Sequence, residues 1–181
     1  MGDGADMLAA LRAQDPAVAR PLWQCFAPTI LRILGRTLGP EARIDDAAQV
    51  VLLCVFERAR RVRPHSDLRQ LVVRVTARIA HVELRRRAFS SVFPASRGRA
   101  RRRAAVVDRS HPVPETVRRF YRILDRLSAL DRVAFALHYI EGMDVRDVAA
   151  AIDASSDQTS RRLRRSLGKV VAGIESDPAL R

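Results

Sequence analysis

Four arginines, Arg161, Arg162, Arg164 and Arg165, crowd together behind Asp157 and Gln158 in a stretch whose apolar residues recur at helical spacing. Guanidinium groups offer paired donors that fit guanine edges or phosphates, and a glutamine amide fits adenine. The chemistry these types supply is recognition of a polyanion. Each bidentate base contact discriminates by about 1 to 3 kcal/mol. A solvated basic face has the same composition, so the elements that hold the arginines decide between the two readings.

Those elements have start and stop signals. Asp144 can cap a helix whose Val145, Val148, Ala149 and Ile152 fall on one face at i, i+3, i+4 and i+7. Asp153-Ala154-Ser155 then forms a tight turn, with Asp153 where a left-handed residue is needed, a conformation Asp tolerates. Ser155-Ser156-Asp157-Gln158 has the spacing of a capping box, and Thr159, Leu163, Leu167, Val170 and Ile174 form the expected buried side of the second helix. At about 100° per residue, Asp157, Gln158, Arg161 and Arg165 point away from that side, with Arg162, Arg164 and Lys169 nearer its flanks. Cap, turn and packed partner helix together predict a helix-turn-helix and favour DNA over a bland surface.

A second cationic row lies upstream. A helix over about residues 67–88 buries Leu68, Leu71, Val72, Val75, Ile79 and Val82, and its opposite side carries Arg74, Arg78, His81 and Arg85 at i, i+4, i+7 and i+11. Like charges at that spacing repel unless an anion lies across them. Arg86 and Arg87 extend the row, which favours a nucleic-acid contact over a face relieved by Glu83 and salt.

The net charge of +13 and pI near 11.5 suit a polyanionic partner. The excess is uneven: residues 1–64 hold 9 Arg against 7 acids, residues 65–113 hold 12 against 3, and residues 114–181 hold 12 Arg and Lys against 10. Most of it sits away from the helix-turn-helix, so one reading head does not account for it. Cys25 and Cys54 lie far apart in apolar helical patterns without a CxxC, and are expected to be buried free thiols in a reducing compartment. The start Met1-Gly2-Asp3-Gly4 has no signal-peptide pattern, and the apolar run 47–56 is too short to cross a bilayer, so a cytoplasmic chain with no membrane insertion is expected.

With 48% hydrophobic and 5% aromatic residues, helical aliphatic cores are expected. Asp15-Pro16 starts a helix carrying Leu22, Phe26, Ile30 and Leu34, with Trp23 as an anchor, and Gly39-Pro40 stops it. A further helix spans about 41–62. Periodicity vanishes from Phe89 to Pro114, where Arg97, Arg99, Arg101, Arg102 and Arg103 mix with Ser, Gly and Pro. Helices near 115–127 and 130–140, with Glu141-Gly142 as a stop, precede the helix-turn-helix. The expected fold is all-α: two small helical domains, 1–88 and 114–181, joined by a flexible basic linker over 89–113, the C-terminal domain containing the helix-turn-helix.

In this order the parts resemble the extracytoplasmic-function (ECF) group of bacterial RNA polymerase sigma factors, over nearly the whole chain after Pro16. Leu127 to Leu137 resembles the family's "LPxxxRxVFxL", and Tyr139-Ile140-Glu141-Gly142-Met143 its "YxEGxS". Asp147-Val148-Ala149, through Leu163 to Arg165, follows "EIA" through "RLxRA" at the same spacing. In the first half, Asp45-Asp46-Ala47-Ala48-Gln49 with Phe56-Glu57 is similar to "EDLVQ" and its later "WE", and Leu84-Arg85-Arg86-Arg87 to "LRRR". Departures are Val50 for Glu, Arg78 and Val82 for Asn and Asp, Gln158-Thr159 for Thr-Val, and Asp153 for a turn glycine.

The resemblance implies a factor with no reaction and no cofactor of its own. Core RNA polymerase would be held through Asp45, Asp46 and Gln49, and melted minus-ten DNA by Arg74, Arg78, His81, Arg85 and Arg86, with the loop Arg61 to Leu68 able to hold an extruded base. Duplex at minus-thirty-five would be read by Ser156, Asp157, Gln158, Arg161, Arg162, Arg164, Arg165 and Lys169. An inhibitory anti-sigma factor is a further implied partner beside the polymerase and promoter DNA. The alternative, motivated by Val50, is a stand-alone helix-turn-helix transcription regulator that has lost polymerase contact. A metal-dependent nuclease using Asp45, Asp46 and Glu57 ranks third: the two aspartates diverge by one helical step and no histidine or base completes the site. No metal site is expected.

Overall fold

The computed structural model describes residues 3–40, 42, 44–60, 68–92 and 113–181. The chain opens with α1 (Asp3–Arg12), which its short stretch of small and apolar residues did not announce. Asp15 then acts as expected: its carboxylate accepts from the Ala17 N–H at 2.9 Å, and Pro16 occupies a first-turn position where a missing N–H costs nothing. A 3₁₀ turn over Pro16–Val18 leads into α2 (Ala19–Leu38), which buries Leu22, Ile30, Ile33 and Leu34. Gly39 ends α2 at φ 94°, a backbone region that costs glycine nothing. A Cβ there would also lie 2.9 Å from the Tyr121 ring.

α3 (Ile44–Ala59) and α4 (Leu68–Val92) pack on α2 and on each other. The C-terminal half follows as α5 (Glu115–Leu124), α6 (Ala129–Phe135), α7 (Val145–Ile152) and α8 (Ser156–Glu175). Ser128 caps α6, accepting from the Asp131 N–H at 3.2 Å. α6 runs on through a π-helical turn, Ala136–Ile140, and the chain turns at Gly142 with φ 74°. Among the described residues there is no strand, and no helix long and apolar enough to cross a membrane.

The all-α architecture is as expected, and the halves lie directly against one another. One buried cluster takes in Leu22, Ile30 and Leu34 of α2, Val51 and Val55 of α3, and Val72 and Val75 of α4. The same cluster includes Val133 and Leu137, and Val148, Ala151 and Leu163 of the helix-turn-helix. A smaller cluster of Ile123, Leu124, Leu127, Phe135 and Val170 belongs to the C-terminal half alone. α4 is covered on two sides, because Val73, Ala77, Ala80 and Leu84 are buried as well as Val72 and Val75. Its surroundings set its register. Val82, expected inside, is 51% exposed.

Three further expectations change. Leu167 is exposed while Ser166 is buried, because the line Thr159, Leu163, Ser166, Val170 follows 3.6 residues per turn more closely than a strict four-residue step. Cys25 is exposed and Cys54 half-buried, both as free thiols, since the buried stripe of α2 passes through Leu22 and Ile30 instead. The linker expected over 89–113 begins later, because α4 runs on as helix to Val92; residues 93–112 of it and the loop residues 61–67 lie outside the described residues.

Candidate nucleic-acid interface

The helix-turn-helix is built by local chemistry. Asp144 accepts from the Asp147 N–H at 2.9 Å and starts α7, and His138 Nδ1, 2.7 Å from the Met143 carbonyl, donates to it and holds the preceding turn. Asp153 adopts φ 56°, ψ 51°, the left-handed turn conformation. Ser155 then closes a reciprocal capping box. Its hydroxyl accepts from the Gln158 N–H at 3.2 Å, and the Gln158 carbonyl oxygen accepts from the Ser155 N–H at 3.4 Å. Thr159, Leu163, Ser166 and Val170 anchor α8 inward.

On the opposite side Ser156, Asp157, Gln158, Arg161, Arg164, Arg165 and Lys169 are exposed and form a continuous face. Arg164 lies fully on it. Gln158 is exposed but its carbonyl oxygen serves the cap, so it reaches a base only by releasing that bond. Arg162 departs from the set: its guanidinium pairs with the Asp131 carboxylate of α6, turning it inward. The reason is geometric, since Arg162 stands about 40° around the helix from buried Ser166, four residues on, and so at the edge of the packed stripe, whereas Arg164 stands about 160° from it. Nothing local in the sequence names Asp131, 31 residues earlier, as its partner.

The α4 row has a similar division. Arg74, Arg78, Arg85 and Arg86 are exposed and His81 is half-buried. Arg74 Nε donates to the Ala150 carbonyl at 3.1 Å, near the C-terminal end of α7, where a cation is favoured by the helix dipole. Arg86 pairs with Glu83 at 2.9 Å. Burial, together with the charges of Arg85 and Arg162, holds the His81 imidazole below its ordinary pKa.

On α3, Asp45, Asp46 and Gln49 are exposed on the outer surface. The unusually apolar middle of this helix suggests contact on more than one side, and the second side lies beside them. Val50 and Leu53 continue the face, Leu53 at 65% exposure, so acidic groups border an apolar strip open to solvent. The helix has more apolar residues than one buried side can use.

Fold and site define an all-α helix-turn-helix protein with cationic faces on α4 and α8. Residues 118–170, a segment that holds α6, α7 and most of α8, match the Sigma-70, region 4 family. Two solved structures share the fold of the chain almost end to end. One is CnrH in complex with the cytosolic domain of CnrY, 19% identical at a TM-score of 0.63, covering 96% of this chain and 98% of that one. The other is the sigma factor RpoE in complex with the anti-sigma factor NepR from Bartonella quintana, 17% identical at a TM-score of 0.61, covering 87% of this chain and 97% of that one. No curated protein matches the sequence.

Proposed function

We propose that this chain is a sigma factor of the ECF group, which binds core RNA polymerase and directs promoter-specific initiation. The observation that carries the reading is the exposed cationic face of α8 inside the segment that matches the Sigma-70, region 4 family, on a chain 87% of which is covered by the fold of a solved sigma factor. Residues 114–181 read duplex at minus-thirty-five through Arg161, Arg164 and Arg165, with Lys169 on phosphate. Residues 1–88 hold melted minus-ten DNA with Arg78, His81, Arg85 and Arg86, and residues 89–113 link the two. Arg74 joins that row when it leaves Ala150.

Docking on the polymerase falls to α3. Asp45, Asp46 and Gln49 supply acceptors for a basic partner surface, and Val50 and Leu53 supply apolar area beside them. This strip weakens the case for a stand-alone regulator, which has no use for a second face open to solvent. Chemistry stays with the polymerase: the factor has no reaction of its own and works in the cytoplasm. The relatives of known structure are bound to CnrY and to an anti-sigma factor, which supports a comparable inhibitory partner here.

The test is reconstitution. Purified chain mixed with core polymerase comigrates on gel filtration and starts transcripts at a defined promoter class, mapped by transcript 5′ ends. Binding of promoter duplex without any polymerase association would instead make it a stand-alone regulator.

A further inference from the structure

A cavity of about 750 Å³ opens where the end of α2, the C-terminal part of α4 and the helices α5 and α6 meet. Its size is that of a small-molecule site. Arg87 of α4, Arg118 and Arg122 of α5 and Arg132 of α6 line it, and Asp125 is the only acid among the described residues of its wall. Leu84 and Leu127 give it buried apolar sides. The faces proposed to hold DNA use none of these four arginines.

Two of the guanidiniums converge on a single acceptor. Arg87 Nη1 donates to the Leu38 carbonyl at 3.0 Å, and Arg132 Nη2 donates to the same oxygen at 3.1 Å. Arg132 is fixed further by the Thr37 carbonyl at 2.7 Å, by the Asp125 carboxylate, and by the Tyr121 ring, whose centroid lies 5.6 Å from the guanidinium carbon. A helix end leaves its last carbonyls without partners, so these bonds cap α2. One arginine would serve that purpose. The second brings a like charge to the same oxygen, where an anion laid across both would relieve the repulsion. Desolvation lowers the Arg87 pKa, and the charge of Arg132 lowers it further against the opposing pull of Glu83.

Arg118 and Arg122 form a second pair, one helical turn apart on α5. Glu115 pairs with Arg122 at 2.7 Å from outside the wall, so the cavity keeps an excess of positive charge. Guanidinium forks bind phosphate oxygens in a bidentate manner, and two pairs of forks match two phosphate groups. The apolar sides match an uncharged body attached to them. The segment that joins α4 to α5 is a poor source of the anion, because residues 93–112 hold six arginines and a single acid, Asp108.

We infer that this cavity is a binding site for a small molecule with a diphosphate group on an apolar body, the chemistry of a nucleoside diphosphate. Arg87 and Arg132 hold one phosphate, Arg118 and Arg122 hold the other, and Leu84 and Leu127 face the body. Binding is a property of the chain alone and stands apart from the sigma-factor reading.

Isothermal titration calorimetry of the full-length chain with ADP, at about 0.15 M salt to screen the general basic field, tests it. The expected result is one ADP per chain, with a melting temperature that rises with ADP concentration. Arg87→Gln and Arg122→Gln should each weaken ADP binding by about tenfold or more, the loss of a charge-assisted hydrogen bond. Arg20→Ala, at the exposed far end of α2, removes the same charge and should leave ADP affinity within about twofold. Equal losses from all three variants would make binding a matter of net charge and overturn the inference. So would the absence of saturable heat and of thermal shift at about 1 mM ADP. Pyrophosphate binding as tightly as ADP overturns the apolar body, and displacement of ADP by a mixed-sequence single-stranded oligonucleotide makes the cavity part of a nucleic-acid surface instead. Should Arg87→Gln lose helical circular dichroism, Arg122→Gln decides the matter, since that side chain is 62% exposed and caps nothing on α2.

Discussion

Arg162 of α8 and Asp131 of α6 form an ion pair in which the aspartate side chain is only 10% exposed. An arginine in the middle of a recognition helix is thereby spent on holding that helix to its neighbour. Asp131 also lies in the first turn of α6, where a carboxylate is favoured by the helix dipole. Arg162→Ala leaves it without its cation in a site that water barely reaches. Thermal or denaturant unfolding should show a loss of about 1 to 3 kcal/mol. Arg161→Ala, on the open face, should leave stability within about 0.5 kcal/mol. It should weaken binding to one promoter class by about 5- to 150-fold, the range of about 1 to 3 kcal/mol per base contact. Equal stability loss from both would mean that the internal pair contributes nothing.

Two glycines in α8 predict opposite outcomes for the same substitution. A Cβ at Gly168 meets nothing within 4 Å, so Gly168→Ala should raise stability by about 0.5 to 1 kcal/mol through helix propensity. A Cβ at Gly173 would lie 2.6 Å from Ile123 Cγ2, so Gly173→Ala should lower stability by about 1 to 3 kcal/mol through overpacking against α5. Urea titrations of the two variants should bracket the unaltered chain.

Asp153 holds φ 56° at the turn of the helix-turn-helix. Asp153→Val places a β-branched residue there and should cost about 1 to 2 kcal/mol. Asp153→Gly relieves the residual strain and should match or exceed the unaltered stability. Differential scanning calorimetry orders the three, and a valine variant as stable as the glycine one would contradict the assigned conformation.

His81 gives stability a pH dependence with a definite sign. Its folded pKa lies below the ordinary value because of burial, with Arg85 and Arg162 adding repulsion. The unfolded chain therefore binds the proton more readily. Above the unfolded value, about 6.5, both states are neutral and there is no penalty; as pH falls through and below it, stability declines. His81→Gln should flatten the stability profile between about pH 7 and 5. An identical slope in the variant would assign the decline to other groups.

Leu53 is exposed beside Asp46 and Gln49, so Leu53→Ser should change folding stability by less than about 0.5 kcal/mol. If α3 is the polymerase face, the same variant should lose core-enzyme affinity by about fivefold or more, the range of a contact worth over 1 kcal/mol. Surface plasmon resonance with immobilised core polymerase measures it. Unaltered affinity would move the docking site elsewhere.

The local devices were written in the sequence itself. The Asp15 cap, the Asp144 cap, the Ser155–Gln158 capping box, the left-handed Asp153 and the stops at Gly39 and Gly142 all follow from groups within a few residues of one another, whose interactions do not depend on the rest of the fold. Helix periodicity likewise placed Leu22, Ile30, Leu34, Val72, Val75, Leu163 and Val170 inside. α1 escaped notice because a short helix has little periodicity to show.

Only the tertiary structure decided which cations face outward. Arg162 is taken up by Asp131, Arg74 by the Ala150 carbonyl 76 residues away, and Arg132 by the end of α2 some 95 residues back. It also gave α4 a second buried side, through Ala77 and Ala80, whose small side chains carry almost no hydrophobic signal along the chain. A residue's type and its near neighbours set the local backbone and the face it joins. Which partner meets that face depends on how distant helices pack, and a contact between residues a hundred positions apart leaves no pattern in either stretch alone.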